Sequence, residues 1–363
     1  MSIDRIIIYI MVAFAVLGAL DRIIGNKFGL GEQFEEGIMA IGSLALSMVG
    51  IIALAPVIAN LLKPVVVPVY NFLGADPAMF AGTILANDMG GASLAAELAN
   101  SADAGLFGGL IVGSMMGVTI VFTIPVALGI IKAEDRKYLA TGVLCGVITI
   151  PVGSFVAGLV AGFPFMMVVK NLVPIVIIAI LIALGLWKFE RAMITGFTWF
   201  GRFIIAVITV GLIAGIVEAL TGMVIIPGMN PISEGFEIVA DIAIVLAGAF
   251  PLVLVITKVF KKPLMKLGKM VGMNDVAAAG IVASLANSIP MFQMVKDMDA
   301  KGKIINFAFA VSAAFVFGDH LGFTAGFNST MIVPMIVGKL VSGISAFILA
   351  VFISNKMLNR EKK

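Results

Sequence analysis

A single cysteine, Cys145, and a single histidine, His320, stand in the 363 residues. One thiol cannot build a disulfide framework, and one of each residue cannot assemble a Cys/His metal site. Charge is almost as scarce. Asp, Glu, Lys and Arg make up 12% of the chain, while hydrophobic residues reach 61% and mean hydropathy is +1.15. Soluble domains run at about 25% charged and 45–50% apolar, so this chain has more apolar surface than a soluble fold can hide. It is expected to dissolve in lipid. A nucleotide-binding loop is also missing, which excludes an ATP motor within the chain. The net charge of +3 comes largely from lysines between Lys258 and Lys269. That pattern reads as anchoring on one side of a membrane rather than nucleic-acid binding. No cofactor and no metal are expected.

What the chain does have is long apolar runs. Stretches of the roughly 20 residues that cross a bilayer core as a helix lie near 5–21, 37–61, 77–99, 104–131, 138–162, 167–187, 200–222, 237–260, 276–295, 304–328 and 331–354. The expected fold is an all-α polytopic membrane protein of about 10–11 transmembrane helices. Met1 to Arg22 has the charge and apolar run of a signal sequence without a small-residue cleavage site, so it is read as an uncleaved first helix. The two halves echo each other. Arg5, Gly18 and Asp21 match Arg202, Gly215 and Glu218; Glu36-Gly37 matches Glu234-Gly235, and Lys63-Pro64 matches Lys262-Pro263. Ala81-Gly82 matches Ala279-Gly280, and Phe122-Thr123 matches Phe323-Thr324, so the offset drifts only from 197 to 201. Two five-helix repeats, 1–165 and 198–363, joined by a linker at 166–197, are the expected organisation. Eleven crossings make the repeats parallel, whereas an inverted pair needs one span fewer or one re-entrant hairpin; a re-entrant 276–295 would reconcile the lysines at the two ends. The lysines leave this open, because the basic run from Lys356 to Lys363 conflicts with Lys63 and the 258–269 cluster if every segment crosses.

Polar groups at membrane depth are functional candidates, since each is costly there. Leu85-Ala86-Asn87-Asp88-Met89-Gly90-Gly91 interrupts one apolar run, and Leu285-Ala286-Asn287-Ser288-Ile289-Pro290 interrupts its echo. Gly90, Gly91 and Pro290 are read as helix breaks that free main-chain groups to face a cavity. Asn87, Asp88, Asn287, Ser288 and Gln293 are candidate lining residues. A second cluster surrounds Asp319 and His320. Gly318, Gly322 and Gly326 form a ridge for close helix approach, with Gly318 and Gly322 also read as structural breaks. His320, Thr324 and Asn328 repeat at i, i+4 and i+8 on one expected stripe. Asp88 aligns with Ser288 and Asp319 with Val118, so each half offers a carboxylate where the other has none. Acids outnumber bases at membrane depth, Lys339 excepted, so the pocket suits a cation. A small ammonium compound would pair with Asp88 or Asp319 and rest against aromatic faces such as Phe323 or Phe327.

The motifs at 85–91, 284–290 and Phe317-Gly318-Asp319-His320-Leu321-Gly322-Phe323 resemble those of the bacterial ethanolamine-utilisation permease family, EutH, over essentially the whole chain. The resemblance implies a multi-pass protein of the bacterial cytoplasmic (inner) membrane that admits ethanolamine for breakdown elsewhere in the cell. It assigns no binding residues; those above come from the residues alone. Facilitated diffusion of protonated ethanolamine, with His320 as a pH sensor, is one mechanism. A sodium- or proton-coupled transporter of another small amine is the alternative. An intramembrane enzyme using Asp319 and His320 as acid and base lacks a nucleophile or metal set nearby. Beyond the small-molecule substrate and the lipid bilayer, the glycine ridges fit a homo-oligomer.

Overall fold

The computed structural model describes residues 3–361. The extreme ends of two expected features, Met1 of the first helix and Lys363 of the basic C-terminal run, lie outside the described residues. Apolar runs punctuated by Gly, Pro and Asn become helices, and no strand occurs among the described residues. Helix α1 (Ile3–Ile23) gives way to a turn held by Asp21, whose carboxylate accepts main-chain N–H groups from Phe28, Leu30 and Gly31 at 2.9–3.0 Å. The turn delivers the chain into α2 (Leu30–Phe72), which is 43 residues long. At about 1.5 Å per residue such a helix far exceeds the roughly 30 Å apolar core of a bilayer. Pro56, Pro64 and Pro68 lie inside it and mark where it can bend.

The run expected to cross at 77–99 turns back instead. Helix α3 (Ala78–Ile84) leads to the break at 85–91, and α4 (Ala92–Leu98) returns beside it. Asp76 fastens the two ends: its carboxylate accepts the N–H of Asn100 at 3.0 Å and that of Ala78 at 2.9 Å. Burial raises the pKa of this carboxyl, opposed by the main-chain donors Ala78, Asn100 and Ser101. The next helix is continuous from Ala102 to Ile130. Its ends, α5 (Ala102–Leu106) and α6 (Ile124–Ile130), are ordinary, but 107–117 and 119–123 are widened into π-type turns. Then come α7 (Arg136–Val160), α8 (Phe165–Lys188), α9 (Glu190–Thr221) and α10 (Ile232–Met270).

A second hairpin follows. Helices α11 (Asp275–Ala286) and α12 (Ser288–Met294) pack side by side. Asn274 joins their outer ends, donating its N–H to Asp299 at 2.8 Å and its amide to the Asp297 carbonyl at 2.9 Å. The run expected at 304–328 is broken: α13 (Ala300–Ala313) and α14 (Asp319–Phe327) flank a non-helical link at 314–318. Phe315 in that link has φ 63°, a left-handed value uncommon for a bulky residue. Helix α15 (Ile332–Glu361) closes the fold.

Eight helices among the described residues are long and apolar enough to cross a membrane, so the chain is a multi-pass membrane protein with fewer full crossings than the 10–11 read from hydropathy. The physical reason is plain. A hairpin of two short apolar helices presents the same 20-residue run as one crossing helix, and only the tie between its ends distinguishes them.

In the packed molecule, α2 and α10 lie against each other, flanked by α1 and α9. The hairpins, the interrupted helices, α7 and α15 gather beside this pair.

Candidate functional site

The first hairpin tip presses on the widened Ala102–Ile130 helix and the second on the break between α13 and α14. Gly117 lies so close to the Leu85 carbonyl that a Cβ there would collide with it, and Gly318 stands in the same relation to the Ala286 carbonyl. The non-helical link is laced to the second hairpin as Phe315 and Phe317 donate main-chain N–H groups to the Ser284 and Leu285 carbonyls, each at 3.0 Å. At the first tip, Gly90 adopts φ 86° and Met89 leaves helical geometry, so the chain bends immediately after Asp88.

A cavity of about 260 Å³ opens where these breaks meet. Asp88 and Met89 reach it from the first tip, Asn287 and Ile289 from the second. Val118 and Phe122 reach it from the widened helix, Phe315, Asp319 and His320 from the link and α14, and Ser43, Leu44 and Ser47 from α2. The Asp88 Oδ2 and His320 Nε2 atoms are 3.9 Å apart, too long for a direct hydrogen bond. Two carboxylates, an imidazole and an amide thus face one space from three chain segments. Phe315 lies over His320 with ring centroids 5.2 Å apart, and Phe122 meets Phe315 edge-on at 5.5 Å.

Around the cavity several buried polar atoms have no hydrogen-bond partner within the protein: both amide atoms of Asn87, Ser288 Oγ, His320 Nδ1, and the hydroxyls of Thr123 and Thr324. Buried polar groups in folded proteins are nearly always paired, so a cluster of unpaired ones marks a place for a polar guest. A wider chamber of about 700 Å³ shares Ser43, Ser47, Met89 and Phe122 with the cavity and extends to Trp199, Arg202 and Arg136.

The structure brings together Asp88, Asn287, Asp319 and His320 of the expected lining. Asn87 and Ser288 are buried at the tips beside it, without forming its wall. Four expectations need correction. Gln293 is exposed, because α12 buries Ser288, Met291 and Phe292 and turns residue 293 outward. Phe323 is buried but stacks on Phe327 at 5.4 Å instead of facing the cavity. Thr324 is also buried and outside the wall. Asn328 is off the stripe because α14 ends at Phe327; extended there, it accepts the N–H of Thr330 at 3.1 Å and its hydroxyl at 2.7 Å. As for the breaks, Gly90 and Gly318 lie at them, and Gly91 and Pro290 immediately follow the bends. Gly322 does not break its helix, and with Gly326 it lets α14 approach Ile242 and Leu246 of α10.

The aromatic walls Phe122 and Phe315 were not anticipated, since in an apolar alphabet they look like core. Ser43 and Ser47, one turn apart on α2, carry no such signal, because their hydroxyls donate to carbonyls of their own helix as serines in apolar helices commonly do. Lys339 was set aside as an exception, although a lysine amid the apolar 332–353 run is itself a signal. It is 1% exposed and donates from Nζ to the Ser114 carbonyl. Among the described residues no group of acidic, His or Cys side chains could hold a metal ion.

A family model described as "Ethanolamine utilisation protein, EutH" matches residues 3–353. A protein of Listeria monocytogenes named "Probable ethanolamine permease EutH" is 68% identical over 362 residues, covering 100% of this chain and 97% of its own length. An Escherichia coli protein of the same name is 51% identical over 394 aligned positions, covering 98% of this chain and 97% of its own. "Uncharacterized protein YxeR" of Bacillus subtilis is 49% identical over 363 residues, covering 100% and 98%. No solved structure matches the chain.

Proposed function

Because the chain belongs to the EutH family of ethanolamine utilisation proteins, we propose that it is a permease, not an enzyme, that carries ethanolamine across the bacterial cytoplasmic membrane. The observation that carries this reading is the convergence of Asp88 and Asp319 on one small, aromatic-walled cavity among apolar helices. A compact ammonium ion satisfies such a site. Its charge answers the carboxylates, and its N–H groups have Asn287 and the carboxylate oxygens as acceptors. The faces of Phe122 and Phe315 add cation–π attraction. The hydroxyl of ethanolamine finds partners in Ser43, Ser47 or the His320 ring.

We further propose that the two halves are inverted repeats, each of four crossings and one re-entrant hairpin, with α8 as the single crossing between them. Reciprocal contacts support this. Gly37 packs on Leu246 and Ala247 while Gly235 packs on Val49; Gly50 meets Ile208 while Gly248 meets Met11. A two-fold axis requires such exchange of partners, residue for residue at the sequence offset of 197 to 198.

Ethanolamine crosses as the protonated cation by facilitated diffusion, drawn inward by the membrane potential at about 2.3 kcal/mol per charge per 100 mV. Uptake of labelled ethanolamine into proteoliposomes under a potassium diffusion potential tests both parts. The expected result is accumulation of up to about 50-fold at 100 mV, with the label recovered chemically unchanged. Accumulation driven by a sodium or proton gradient at zero potential would replace uniport with coupling, and absence of any ethanolamine uptake would remove the substrate.

A further inference from the structure

Among the described residues, Lys339 is the one fully buried lysine or arginine. It lies on α15, nine residues after the Thr330 turn, and its ammonium reaches across to the Ser114 carbonyl in the widened part of the Ala102–Ile130 helix. Ser114 adjoins Gly113, and a Cβ on Gly113 would come within 3.1 Å of the Asn87 nitrogen. The Lys339 ammonium is therefore anchored on the helix turn that packs against the Asn87-Asp88 tip.

Carbonyls of disrupted helices are the groups that coordinate sodium in ion-coupled transporters. Here the partner of such a carbonyl is a side-chain ammonium. Two carboxylates facing one cavity repel each other unless cations lie near, and a transporter can supply those cations from solution or from its own chain. With both carboxylates ionised, His320 neutral and Lys339 charged, the site carries a net charge of −1, which one monovalent ammonium cancels. Without Lys339 it would carry −2, enough for a substrate and a second cation.

We propose that Lys339 is a resident cation standing where a coupling ion would otherwise bind, so that the protein moves its substrate without sodium. Lys339 is thus a positioning residue for charge. It is fixed to the widened helix behind the tip and leaves the cavity one charge to fill.

The proposal deepens the permease reading, and its test has one arm that uses no ethanolamine. In proteoliposomes at a clamped potential, the native protein should take up ethanolamine equally, within twofold, in sodium and in N-methylglucamine media. Lys339→Ala should lose at least tenfold of its uptake in N-methylglucamine and regain most of it in sodium. In detergent, sodium should raise the thermal midpoint of Lys339→Ala and leave that of the native protein unchanged, as binding to the folded state requires. A variant inactive in both media but stabilised by sodium still supports the resident cation. A variant that shows no sodium-dependent stabilisation, that transports like the native protein in both media, or a native protein that needs sodium, overturns it. Failure of the native protein to move ethanolamine at all would count against the permease reading alone, because the thermal arm is independent of that substrate.

Discussion

Among the described residues, Asp88 and Asp319 differ from the other acids in facing one cavity from two different non-helical breaks. Neither has a direct ion-pair partner closer than the His320 ring, 3.9 Å from Asp88. A carboxylate in that setting is held for a cation, and a hydrogen bond to a charged group contributes about 1.5–3 kcal/mol. Asp88→Asn and Asp319→Asn preserve shape and remove charge, so each is expected to weaken ethanolamine binding by roughly 10- to 100-fold while expression in the membrane is kept. Equilibrium binding of labelled ethanolamine to purified variants measures this; native affinity in both would refute the site. At this scale the sequence was informative, since a charge beside Gly-Gly or between glycines in an apolar run has few uses. Its blind spots were physical too. Phe122 and Phe315 became cavity walls only because the link at 314–318 unwinds, and nothing in the residue type distinguishes a wall from a core.

At the scale of elements, the site depends on how closely each hairpin tip approaches the widened or broken helix beside it. Gly117 against Leu85 and Gly318 against Ala286 are equivalent contacts, and neither has room for a Cβ. Overpacking such a contact costs typically about 1–3 kcal/mol and displaces backbone. Gly117→Val and Gly318→Val are therefore expected to lower the thermal midpoint and to cut uptake at least tenfold by shifting Asp88 or Asp319. Gly196→Ala, where a Cβ would meet nothing within 4 Å, serves as the control and should behave as the native protein. Unchanged uptake in both valine variants would show that tip placement does not matter. These contacts were half legible. The breaks themselves were marked by Asn-Asp-Met-Gly-Gly and Asn-Ser-Ile-Pro, and the hairpins were not, because the ties that reveal them, Asp76 to Asn100 and Asn274 to Asp299, lie in short polar connections with no distinguishing pattern.

For the whole molecule, the division of the cavity wall between two groups of helices has a mechanical consequence. Ser43, Leu44 and Ser47 belong to α2, whereas both carboxylates, His320 and Asn287 sit on the hairpin tips and on α14, elements that pack against α2 and α10. The chamber that continues past Met89 and Phe122 gives the cavity one approach. Opening a second approach while closing the first requires the carboxylate-bearing group to move against α2, because no single group encloses the site. A covalent tie across that boundary should therefore stop transport without disturbing either group. Cys145 is the chain's one native thiol and is buried, so a Cys145→Ala background clears the way for engineered pairs. Ser47→Cys combined with Met89→Cys places one thiol on each side, both on the wall shared by cavity and chamber. Bridging that pair with a short thiol-cleavable reagent is expected to reduce uptake at least tenfold and cleavage of the bridge to restore it, with each single-cysteine variant insensitive to the reagent. If the bridged protein, verified by mass, still transports at the native rate, the two groups do not move against each other and the path must open within the hairpin-bearing group alone.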